Sequence, residues 1–265
     1  MDRLLLTGAT FCLLLSFGYT LYALGAGRFR PGAVNLVAIL GGFLILTADL
    51  WIRGRAQGSC PINSLFDVLV FMCWSILLIY LVIGPAYHLS LLGAFTSPLV
   101  FLVLLFAQLG PVGPAAQGRF DHDPWTELHA ALSLVAYGAF ALAAVAGLMY
   151  LVQDRQLKMR RTGALLYNLP PISDLGVANA RLIKLGFGLL TAGFVAGFAA
   201  GHVGGVHTNG IKFLASVLIW AGYGAILLLR KIRRLPPKRT AEASMLVFCV
   251  ALLALPAIQY LSSHK

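Results

Sequence analysis

An imidazole set about one turn inside an apolar helix needs a polar partner, because lipid tails offer it none. His129 is in that position. It stands near the start of PWTELHAALSLVAYGAFALAAVAGLMYLVQDRQLK, Pro124 to Lys158, in which an acidic lead-in runs into an apolar stretch and then a basic tail. The apolar part, roughly 25 residues, is long enough to cross a bilayer as a helix. His122 lies just ahead of it, and His202 and His207 lie in GHVGGVHTNG, the glycine-rich connection that follows the next apolar block. Ring nitrogens gathered at one membrane face can take a metal ion, with His129 the first candidate ligand, or the iron of a porphyrin, for which imidazole is a common axial ligand. The plainer alternative is that His129 hydrogen-bonds Glu127, Asp67 or a backbone carbonyl.

Asp67, in PINSLFDVLVFMCW, adds a carboxylate one to two turns into its own apolar block. At that depth it must be neutral, paired or hydrated. It either locks packing through a bond to a neighbouring helix or supports a polar site at the same face as His129. Other chemistries lack their residues. There is no CxxCH, no HExxH, no phosphate loop, and no nucleophile with a base and an orienting partner. Cys12, Cys60, Cys73 and Cys249 have no paired spacing and read as small packing residues, with Cys60 alone in a connection where it is open to reaction.

These residues have to be held by membrane helices. The chain has 265 residues, is 59% hydrophobic, and carries 20 Lys and Arg against 9 Asp and Glu, too little charge for a soluble domain of this size. Apolar blocks run over Leu4–Ala26, Val34–Trp51, Pro61–Gly84, Leu89–Leu109, the span ending near Val152, Ile183–Ala200, Phe213–Leu229 and Ala243–Leu261. The expectation is an all-α polytopic protein of eight transmembrane helices, forming one integral membrane domain over 1–265. The segment from Asp154 to Lys184, with RRTGALLYNLPPISDLG at its centre, reads as a surface loop carrying a short interfacial helix.

The net charge of +11 does not indicate nucleic acid, since the basic residues gather at the ends of apolar blocks. Arg155, Lys158, Arg160, Arg161, Arg181 and Lys184 follow the fifth span, and Arg230, Lys231, Arg233, Arg234, Lys238 and Arg239 follow the seventh. Two spans separate these clusters, so they share a side, and the positive-inside rule makes that side cytoplasmic. Both termini and the histidine connections are then outside, and Arg53 and Arg55 fall on the wrong side of the rule. Asp49, near the end of its span, pairs with Arg53 or Arg55 or faces the lipid headgroups.

PINSLFDVLVFMCW (61 to 74), LHAALSLVAYGAFALAAVAGLMYLVQDRQLK (128 to 158) and the LPPISDLG segment leading into IKLGFGLLTAGFVAG together resemble the cytochrome c assembly superfamily, most closely its eight-span branch of CcsA and HemX type, related to CcmC. The resemblance implies an integral protein, in a bacterium one of the cytoplasmic membrane, that presents haem at the external face to a cytochrome c synthase partner subunit and to apocytochrome c. It puts a haem-ligand histidine on His129 and a family glutamate on Asp67. The family's tryptophan-rich WGxxWxWDPK motif is replaced here by VGGVHTNGIK (203 to 212), and the second external ligand position falls on Leu228, which cannot ligate iron. Iron would then be five-coordinate with His129 alone, or His202 or His207 would take that place. The alternative is an accessory, regulatory or transport-like membrane protein without haem on the same scaffold.

Overall fold

A computed structural model describes residues 2–25, 33–58, 60–62, 64–84, 90–109, 124–159, 171–204, 210–233 and 235–263. Among them the chain is all α-helix: α1 (Asp2–Gly25), α2 (Ala33–Gln57), α3 (Leu65–Ile83), α4 (Ser90–Leu109), α5 (Pro124–Lys158), α6 (Ile172–Gly204), α7 (Gly210–Ile232) and α8 (Pro237–Ser263). Seven of the eight, α1 to α7, are long and apolar enough to cross a membrane. The last, α8, starts with Lys238, Arg239 and Glu242. That charged turn separates it from the others before its apolar run begins at Ala243.

The elements end where local chemistry ends them. Gly58 follows α2 with φ 66°, the left-handed stop that glycine adopts without strain. Ser64 caps α3, and the cap moves Asp67 to the first turn of that helix, shallower than the sequence implied. The expected loop over 154–184 is corrected: α5 runs on to Lys158 and α6 begins at Ile172. Pro170 and Pro171 lack the amide hydrogens that would continue a helix backwards, and the apolar periodicity resumes directly after them. The proposed interfacial helix falls on 160–170, outside the described residues.

Helix α5 is the axis of the bundle. Its residues from Leu134 to Met149 are almost all buried, and it packs broadly on α6, then on α8 and α3. Small residues allow these approaches. A side chain at Gly138 would lie 2.8 Å from the Ser75 carbonyl carbon, so α5 and α3 touch backbone to backbone there. Asn179 Nδ2 donates to the Ala143 carbonyl at 2.7 Å and to Ser244 Oγ at 3.0 Å, tying α5, α6 and α8. Lys238 Nζ lies 3.9 Å from Asp154 Oδ2, which brings the flanks of the two basic connections to one end of the bundle.

The packing also repeats. On α2, Thr47 hydroxyl donates to the Phe43 carbonyl (2.7 Å) and accepts from Trp74 Nε1 of α3 (2.9 Å), while Phe43 stacks on Trp74 at 5.7 Å. On α6, Thr191 hydroxyl donates to the Phe187 carbonyl (2.7 Å) and accepts from Trp220 Nε1 of α7 (3.0 Å), while Phe187 stacks on Trp220 at 5.5 Å. The sequences agree: GFLILTAD (42 to 49) against GFGLLTAG (186 to 193). The neighbours agree too, since α1 packs on α2 and α4 as α5 packs on α6 and α8. The bundle consists of two four-helix repeats, α1–α4 and α5–α8.

Candidate functional site: the histidine end of the bundle

His129 sits on the second turn of α5, half-buried against α6. Its Nδ1 is 2.6 Å from the Gly193 carbonyl oxygen. A carbonyl only accepts, so Nδ1 carries the proton and donates, and in the neutral ring Nε2 then keeps its lone pair. Glycines make the seat. A side chain at Gly197 would lie 2.8 Å from His129 Nδ1, and one at Gly193 would lie 2.9 Å from Ser133 Oγ. Gly193 and Gly197 are one turn apart on α6, a small-xxx-small pair that lets two membrane helices close up. Ser133, a turn deeper than His129 on the same side of α5, has a buried hydroxyl with no hydrogen-bond partner among the described residues. The sequence carried this glycine pair in TAGFVAG, a signal the histidine-centred reading passed over.

Asp67 is engaged on both oxygens. Oδ1 accepts from Arg53 Nη1 at 3.3 Å, and Oδ2 accepts from Ser64 Oγ at 2.8 Å and from the Ser64 amide at 3.2 Å. Ser64 Oγ in turn accepts from the Asp67 amide at 3.1 Å, completing a reciprocal N-terminal cap. Arg53 also donates from Nε to Asp49 Oδ2 at 2.9 Å and lies 4.8 Å over the Phe66 ring. All three charged groups are more than nine-tenths buried. Arg53 is thus an internal charge held between two carboxylates. Cys60, in the α2–α3 connection, has its thiol pushed up to about 11 by burial and then by the charge of Glu127, so that connection lies beside the start of α5.

The other expected ligands are placed differently. His202 belongs to the last turn of α6 rather than to a flexible loop, and its side chain lies outside the described residues, as do His122 and His207. Leu228 is 57% exposed near the Arg230 end of α7, the opposite end of that helix from its start at Gly210. Among the described residues no three His, Cys, Asp or Glu side chains gather as a metal site.

A family model described as cytochrome C assembly protein matches residues 62–264. The chain belongs to that family. Within it, the chain is 28% identical over 200 residues to protein HemX of Brevibacillus brevis, covering 74% of each chain. It is 26% identical over 224 residues to the cytochrome c biogenesis protein CcsA of Trieres chinensis, covering 69% of this chain and 70% of that one. A CcsA of Synechococcus sp. (strain CC9902) is 26% identical over 244 residues, covering 80% and 78%. The family match begins at the Ser64 cap region of α3 and so takes in Asp67, His129 and the whole second repeat.

Proposed function

We propose that this integral membrane protein serves cytochrome c biogenesis by holding haem at the His129 end of the bundle and presenting it there to a synthase partner subunit and apocytochrome c. The observation that carries the reading is the bond from His129 Nδ1 to the Gly193 carbonyl. A backbone acceptor on one ring nitrogen orients an imidazole and raises the basicity of the other, the arrangement metal-ligating histidines use. His129 Nε2 is the atom that would hold the iron. Bound there, haem supplies the group that is handed on. The residues of this chain orient the ring, and the Asp49–Arg53–Asp67 set with Ser64 fixes the neighbouring end of α2 and α3. His202 and His207 are the candidates for a second ligand from the α6–α7 connection. We read the chain as one membrane unit over 1–265 with α8 as its eighth span, because Ala243 to Leu261 carries no charged residue over about 28 Å at helical rise. In a bacterium it occupies the cytoplasmic membrane, with the basic end inside and the His129 end and both termini outside.

Absorption spectra of the detergent-purified, haem-supplemented protein test this. The intact protein should show a Soret band, His129→Gly should lose it, and added imidazole should restore it. An unchanged band in a well-folded His129→Gly protein removes the reading. One observation favours an accessory or regulatory role without haem: VGGVHTNGIK stands where the family has its tryptophan-rich motif, so that segment offers no Trp, Tyr or Phe to stack on a porphyrin. A Soret band absent from the intact, haem-supplemented protein would select that role.

A further inference from the structure

The two repeats use one buried asparagine differently. Asn35 of α2 and Asn179 of α6 hold the same place, ahead of the matched runs that begin at Gly42 and Gly186. The helices beside them match as well, SPLVFLV (97 to 103) in α4 and SMLVFCV (244 to 250) in α8, which pairs Ser97 with Ser244 and Ala94 with Ala241. In the second repeat the three groups form a closed relay. Asn179 Nδ2 donates to Ser244 Oγ at 3.0 Å, and Ser244 Oγ donates to the Ala241 carbonyl at 3.0 Å. In the first repeat neither bond is made. Asn35 Oδ1 is taken by Ser16 Oγ of α1. Ser97 is fully buried, and its Oγ has no hydrogen-bond partner among the described residues. The Ala94 carbonyl lacks its helical donor, because the residue four further on is Pro98, which has no amide hydrogen. Gly93 keeps the space between these groups open. A side chain there would run into the Tyr80 hydroxyl of α3 and lie 3.2 Å from Asn35 Nδ2. Asn35, Tyr80, Ala94 and Ser97 are each at most 4% exposed.

We propose that an ordered water molecule binds at this point of the first repeat, taking hydrogen bonds from Ser97 Oγ and Asn35 Nδ2 and giving one to the Ala94 carbonyl. A buried hydroxyl and a freed carbonyl each cost free energy when left unmade, and a proline inside a membrane helix is tolerated where water or a side chain takes up the carbonyl it frees. Three partners are what a buried water has on average. Every group in the set is neutral and both donors and acceptors are present, which suits water and not an ion. The site lies at the end of the bundle away from His129, since Asn35 is on the first turn of α2 and Tyr80 on the last turn of α3, opposite the Ser64 cap. Water exchanges there with the solvent at that membrane face. Helix α4 is then held at its kink by an exchangeable molecule, where α8 is held by its own side chains. Each repeat thus frees polar groups at one end only: the second at His129, the first at Asn35.

Thermal unfolding of the full chain in detergent tests this. Removing a hydroxyl that is bonded to water costs stability, so Ser97→Ala should lower the midpoint by about 2–4 °C, as Ser244→Ala should at the bonded counterpart. Pro98→Ala returns an amide donor to the Ala94 carbonyl and weakens the hold on the water, so in that background the Ser97→Ala loss should shrink. An orphan hydroxyl behaves in the opposite way, because its removal relieves a buried unpaired group. A midpoint unchanged or raised in Ser97→Ala, or the same loss with and without Pro98, overturns the proposal. A second measurement needs no change at the proline. Chains with Cys12→Ala, Cys60→Ala, Cys73→Ala and Cys249→Ala carry either Ser97→Cys or Ser244→Cys, and their membranes are treated with silver nitrate in chloride-free buffer. Silver ion is small enough to follow water to the thiol at 97 and should protect it from maleimide added after denaturation, while the thiol at 244 stays unprotected. Equal protection at the two positions rules the water site out.

Discussion

The same run lies within the second helix of each repeat, GFLILTAD in α2 and GFGLLTAG in α6, and the two copies of the run end in opposite chemistry. In α2 the last residue is Asp49, followed a turn later by Arg53, and that turn is filled by a buried ion set that reaches across to Asp67 of α3. In α6 the corresponding residues are Gly193 and Gly197, and the space goes to the His129 ring of α5. One repeat uses the position to lock its own helices with charge. The other leaves it clear of side chains, and an imidazole stands there with Nδ1 bonded to the Gly193 carbonyl. The comparison teaches that the site was made by subtraction on α6 as much as by placing a histidine on α5.

The sharpest way to break the comparison is at Arg53. Arg53→Leu leaves Asp49 and Asp67 buried together without their cation, and loss of one partner of a buried ion set costs about 3–5 kcal/mol. Yield and thermal unfolding in detergent should fall accordingly. Asp49→Asn, Arg53→Met and Asp67→Asn combined should recover most of the loss, because the uncompensated charge is gone. If the triple variant is as poor as Arg53→Leu, the set acts through more than charge balance.

In the glycine-cleared repeat the corresponding break is steric. Gly197→Ala puts a methyl group 2.8 Å from His129 Nδ1, and overpacking of this kind costs about 1–3 kcal/mol. His129→Gly should relieve it, so the two changes together should be less damaging than their sum, measured as a double-mutant cycle on thermal stability. Additive effects would mean that the ring is not what Gly197 accommodates.

The smallest effect lies in the connection between the two regions. With its thiol raised to about 11, Cys60 is protonated at neutral pH, and its maleimide labelling should climb about tenfold per pH unit from 7 to 10. Glu127→Gln removes a negative charge that disfavours the thiolate, so labelling at a fixed pH should quicken. Burial is the larger cause, so the gain should be partial. Unchanged labelling would separate Cys60 from the start of α5.

Much of this was written in the chain itself. Apolar run length, with RGRAQG closing the second block, specified where the helices lie, since a backbone in lipid has few other ways to satisfy its hydrogen bonds. His129 could be singled out because a ring nitrogen in that stretch needs a partner, and Arg53 and Arg55 stood out as the two candidate partners of Asp49, of which the structure pairs Arg53. The partner of His129 could not be read, because a carbonyl acceptor such as Gly193 exists at every residue and only the α5–α6 contact selects one. Nor could Asp67 be assigned to Arg53, which lies on another helix. The length of α6 was misjudged because Asp174, Arg181 and Lys184 look like loop residues until the helix is seen to continue past the apolar core. The repeat was legible in GF-x-x-L-T-A, but its consequence was not. That Ser97 stands unbonded where Ser244 is bonded depends on how Asn35 turns inside the bundle, and local sequence specifies a helix far more strongly than it specifies a neighbour.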